Sequence, residues 1–122
     1  MKDFKFDFAK LNSSIPMIDF LETLSIKERA LIYKNIQKLV EYKNNNFNLS
    51  DKFTKPLRDG IFELKVDLQN KTSRSLYFYE KNQMIIFTNG FVKKSQKTSS
   101  KEILKAIKIM EAYNNEQCRT IF

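Results

Sequence analysis

This chain of 122 residues has no histidine and no tryptophan, one cysteine, two glycines and two prolines. Without histidine it lacks the side chain that titrates nearest neutrality and the imidazole that most transition-metal sites use. Cys118 stands alone, so no internal disulfide can form, and a reducing compartment suits it. It reads as a bystander thiol. Two glycines leave no phosphate-cradling loop, and no nucleophile elbow is present. Asp59, Glu63 and Asp67 lie among lysines and arginines and read as surface charge rather than a divalent-metal cluster. Neither a metal nor a cofactor is therefore expected. No apolar run approaches the roughly 20 residues of a membrane span. The opening MKDFKFDFAK lacks the apolar stretch of a secretory signal. These absences lead to the expectation of a cytoplasmic protein with no membrane partner.

Positive charge is what the chain has in excess. Lys and Arg number 22 against 14 Asp and Glu, a net charge of +8. That balance favours a polyanionic partner, nucleic acid first, although a solvated lysine-rich surface has the same composition. No repeat or linker divides the chain, so residues 1–122 are expected to form one domain.

Phe4, Phe6 and Phe8 alternate with Lys5 and Asp7, the period of a half-buried strand. Ser13, Ser14 and Pro16 signal a short helix, with Ile18, Leu21 and Leu24 on one face. Ser25 and Glu28 have capping-box spacing, and Ile26, Ala30, Tyr33, Ile36, Leu39 and Val40 continue at helical spacing. Residues 47–58, broken by Pro56, read as a loop closed by Gly60. Phe62, Leu64, Val66 and Leu68 then alternate with charged residues as a strand. Turns at residues 69–73 and 80–83 lead into strands 74–79 and 84–88, and Asn89 and Gly90 are expected to bend the chain with positive φ. Ser99 and Glu102 suggest a second capping box, opening a helix along Ile103, Ala106, Ile107, Met110 and Tyr113. The fold class that follows is α+β: a small antiparallel sheet in the order β-α-α-β-β-β-α, with the two N-terminal helices on one face.

Cations and aromatic rings gather on or beside the expected sheet. Lys65, Arg74, Lys93, Lys94 and Lys97 can grip phosphates, while Tyr77, Tyr79 and Phe91 can stack on bases. In a sheet, though, such rings more often pack, and such lysines more often solubilise. Arg74 shares strand parity with Leu76 and Phe78, so it points to an apolar face and needs a partner or a purpose.

The ordered run KPLRDGIFELKV, Arg74 before LYF, an apolar strand, GF and KKSQK ahead of a capped helix resembles the RelE/ParE toxin superfamily, in its HigB-like, phage-derived branch. The resemblance implies a RelE-like fold and the toxin half of a type II toxin–antitoxin pair. It implies a helix-turn-helix antitoxin as partner, and a ribosome-dependent endoribonuclease acting on mRNA. By the resemblance, Lys65, Arg74, Lys93, Lys94 and Lys97 match the family's basic positions. With the tyrosines and Phe91 added from the residues themselves, Arg74, Lys65, Lys94, Tyr77 and Tyr113 are the catalytic candidates and Lys93, Lys97, Tyr79 and Phe91 the RNA-binding ones. The chain departs from the family pattern in having Ser99 for Pro, Asn89 for His and Ile103 near a family Tyr, which leaves the acid and base open.

Lysines and an arginine suffice for RNA cleavage when the substrate's own 2'-hydroxyl is the nucleophile, because no water needs activating. Arg74 would hold the phosphate, and its truncation to Ala is expected to remove toxicity with little loss of stability. Lys65 or a member of the 93/94/97 cluster would be the base, and Tyr77 or Tyr113 the proton donor. Two other readings stay open: a ParE-like gyrase inhibitor, and a non-enzymatic phage-derived nucleic-acid-binding protein.

Overall fold

A computed structural model of the chain describes residues 3–81, 83–93 and 98–115. The elements run β1 (Lys5–Phe8), α1 (Pro16–Leu21), α2 (Ile26–Asn44), β2 (Thr54–Arg58), β3 (Ile61–Leu68), β4 (Lys71–Glu80), β5 (Met84–Lys93) and α3 (Ser100–Asn114). The α+β class is as expected, with two refinements: among the described residues the sheet has five strands, and it is mixed. Its order is β1-β5-β4-β3-β2, with β1 parallel to β5 and every other pair antiparallel.

The added strand is β2, inside the stretch read as a loop. Proline lacks the N–H of a ladder donor, but β2 is an edge strand, where that loss is tolerated. Asp59 (φ 53°) and Gly60 (φ 85°) form the two-residue link to β3, and positive φ at both is the requirement of a type I′ hairpin. The Asp-Gly dipeptide was thus the local signal for β2.

The two sheet faces bury different partners. On one, Met17, Phe20, Leu21 and Leu24 from the α1 region and Ile32, Ile36 and Leu39 of α2 pack on Leu64, Val66, Tyr77, Ile85 and Phe87. On the other, Ala106 and Ile109 of α3 pack on Ile61, Leu76, Phe78 and Ile86. The central strand β4 is accordingly buried without interruption from Ser73 to Phe78. Ser25 and Glu28 form the expected capping box at α2. Ser99 also caps α3, accepting from the Lys101 amide at 3.1 Å, while the Glu102 carboxylate accepts from Asn89 Nδ2 at 3.0 Å.

Asn89 and Gly90 do not end the strand. Neither has positive φ, and β5 continues to Lys93. The β4–β5 register shifts between Ser75 and Tyr77, so the extra residue on β5 forms a bulge. Glycine is required there for space: a Cβ on Gly90 would lie 2.4 Å from Cδ2 of Phe20. Past the bulge, Gly90 faces the α1 side, and Phe91 and Lys93 face the α3 side.

Candidate functional site

Strand register brings the charged residues together. Lys55 pairs with Glu63, Lys65 with Arg74, Arg74 with Phe91, and Thr72 with Lys93. Directly paired residues share a face, as do residues two apart on one strand. Lys55, Glu63, Lys65, Arg74, Phe91 and Lys93 therefore lie on the α3 face, beside the start of α3.

Glu63 is the centre of the group. It is 1% exposed, and it forms an ion pair with Nη1 of Arg74, itself 6% exposed. The Thr98 hydroxyl donates to the other oxygen of the same carboxylate. Arg74 therefore has a partner, which answers the question its strand parity raised. Its Nε is nevertheless buried with no hydrogen-bond partner among the described residues, and so is Nζ of Lys93. Burial, aided by the charge of Arg74, holds the Lys93 ammonium below the usual lysine pKa, with Lys55 and Lys65 acting in the same direction and Glu63 against them. Buried donors without acceptors are uncommon, and an anion between these strands would satisfy them.

Of the residues singled out in the sequence, Lys65, Arg74, Phe91 and Lys93 meet on this face. Phe91 is half-buried against the α3 cluster. Lys94 and Lys97 lie outside the described residues. Tyr77 lies on the opposite face, fully buried, with its hydroxyl 2.6 Å from Oγ1 of Thr54. Thr54 donates its one proton to the Glu63 carbonyl at 2.7 Å, so Tyr77 is the donor in the contact between the hydroxyls. Burial pushes the Tyr77 phenol far above its ordinary pKa. Tyr79 shares that opposite face, edge-on to Phe62 at 4.9 Å, with Nζ of Lys43 5.0 Å from its ring centre. Tyr113 sits in the last turns of α3 against Phe78, with ring centres 5.6 Å apart, four residues along β4 from Arg74. The structure does not bring these three tyrosines to the cation cluster.

Sequence reasoning missed Glu63, Lys55 and Thr98. Glu63 shares strand parity with Lys65, and that was the available signal; Lys55 was hidden because β2 was read as loop. Among the described residues, His, Cys, Asp and Glu nowhere gather in threes that could hold a metal ion. No described helix is long and apolar enough to cross a membrane.

Fold and site together define a class: a small α+β domain with cations from four strands drawn around one buried carboxylate. The chain belongs to the phage-derived protein Gp49-like family (DUF891), whose profile matches residues 19–111, a family related to the RelE-type toxins. That span contains every described member of the cluster. No curated protein matches the chain.

Proposed function

We propose that this protein is a HigB-like toxin of a type II toxin–antitoxin pair, and that it cuts mRNA on the ribosome by attack of the substrate's 2'-hydroxyl. The observation that carries the reading is the convergence of Lys55, Lys65, Arg74 and Lys93 on one sheet face, with two buried cationic donors that have no acceptor among the described residues. Such a site suits a phosphodiester. Arg74 holds a non-bridging oxygen of the scissile phosphate, and Lys65 and Lys55 offset the remaining backbone charge. Lys93 loses its proton more readily than an ordinary lysine, which fits it to take the 2'-hydroxyl proton. The 2'-oxygen bonds to phosphorus, the bond from phosphorus to the 5'-oxygen breaks, and that oxygen leaves with a proton from the solvent or a neighbouring lysine.

The products are a 2',3'-cyclic phosphate and a 5'-hydroxyl. Cutting of translated mRNA on preassembled ribosomes is expected to survive EDTA and to stop when the cut nucleotide is 2'-deoxy. End-group analysis decides the matter: 5'-phosphate ends, or continued cutting of the 2'-deoxy message, would overturn the mechanism. Gyrase inhibition without RNA cleavage would move the protein to the ParE-like reading. The partner is a helix-turn-helix antitoxin that covers the cation cluster with an acidic segment, so the complex weakens with salt. Co-purification with the product of the adjacent gene checks this, and no association at low salt would sink it.

A further inference from the structure

A carboxylate is an odd member of a phosphate site, since its charge repels the ligand. Glu63 is nearly inaccessible, and both of its oxygens are engaged, one by Arg74 Nη1 and the other by Thr98 Oγ1. Its charge is therefore directed at Arg74 rather than at an incoming anion. An arginine has five donors in a rigid plane, so a grip on one edge fixes the direction of the others. The edge left over includes Nε, buried and without an acceptor among the described residues, and Lys93 stands on the same face, two residues past the Phe91 that pairs with Arg74. Thr98 adds a second restraint, tying this carboxylate to the residue just before the Ser99 cap of α3.

We propose that Glu63 is a positioning residue: anchored by Thr98, it holds the Arg74 guanidinium by Nη1 so that Arg74 Nε is aimed at the scissile phosphate beside the Lys93 amine that takes the 2'-hydroxyl proton. This rests on the reading of the site as the phosphate-binding centre of an RNA-cleaving toxin. Glu63 touches no substrate. Its contribution is to remove the freedom of a long side chain before RNA arrives, which acts on the chemical step more than on docking to the ribosome.

The test is single-turnover cleavage on preassembled ribosomes, with maximal rate and half-saturating toxin concentration measured separately. Wild type is compared with Glu63→Gln, Thr98→Val and Arg74→Lys, each checked for folding by circular dichroism. Glu63→Gln is expected to lower the maximal rate about 100-fold, the order that a misplacement near 1 Å produces, while half-saturation changes less than about threefold. Thr98→Val, which keeps the ion pair, is expected to lower the rate about tenfold by the same loss of orientation. If Glu63→Gln does not fold, Thr98→Val decides, and a wild-type rate there overturns the proposal. A folded Glu63→Gln protein with an unchanged maximal rate, or with only a raised half-saturation, also overturns it. Failure of the underlying reading looks different: Arg74→Lys cutting as fast as wild type, or no cutting by wild type at all.

Discussion

Truncating Arg74 to Ala tests the energetics of the buried pair. From the sequence, a phosphate-gripping arginine should be dispensable for folding, but burial of both partners gives a different expectation. Glu63 is 1% exposed in the intact fold, and Arg74→Ala leaves its carboxylate only the Thr98 hydroxyl as a partner among the described residues. Removing one partner of a buried ion pair costs about 3–5 kcal/mol, because the survivor keeps its desolvation penalty without the attraction that offset it. Replacing both partners with apolar groups of similar volume is often neutral or stabilising. Arg74→Met with Glu63→Leu should therefore be more stable than Arg74→Ala by most of that amount. Urea unfolding reads the difference. With a slope of roughly 2 kcal/mol per molar for a small domain, Arg74→Ala should lower the midpoint by about 2 M, and the double variant should stay near wild type. A loss below about 1 kcal/mol for Arg74→Ala, or a double variant as weak as the single one, would refute the reasoning built on the buried pair.

Three further perturbations separate architecture from chemistry. Gly90→Ala forces a methyl against Phe20 and should cost about 1–3 kcal/mol by overpacking, partly relieved by Phe20→Leu; equal melting temperatures for wild type and Gly90→Ala would contradict this. The folded pKa of Lys93 lies below its ordinary 10.5, lowered by burial and by Arg74, Lys55 and Lys65 against the opposing Glu63. Between the lowered value and 10.5 the unfolded chain binds more protons, so Lys93 makes stability rise with pH across that window. Lys93→Met should flatten that part of the pH–stability profile and be more stable than wild type below it, and identical profiles would count against the shift. Tyr77→Phe removes a buried hydroxyl bonded to Thr54 and should cost about 0.5–1.5 kcal/mol while leaving the proposed ribosomal cleavage intact; a rate loss in the folded variant would return Tyr77 to the proposed reaction.

Local chemistry made much of the architecture legible from the sequence alone. Alternation along residues 62–68 fixed which side of β3 is apolar, and Ser25 with Glu28 marked the start of α2. The parity of Arg74 with Leu76 and Phe78 showed that its guanidinium faces the interior and needs a partner. Long-range pairing decided the rest. Nothing in the first strand tells that it lies parallel to β5, nothing near Pro56 beyond the Asp-Gly turn shows that an edge strand forms, and the Asn89–Gly90 step bulges rather than turns because both flanks remain in the ladder. The site belongs to this second kind of information. Lys55, Glu63, Lys65, Arg74 and Lys93 come from four strands, and a slip of one residue in any pairing would send its member to the opposite face. Residue types could name the cations, but only the register could set them around Glu63 and turn Tyr77 away from them, because side-chain direction in a sheet is fixed by pairing across strands.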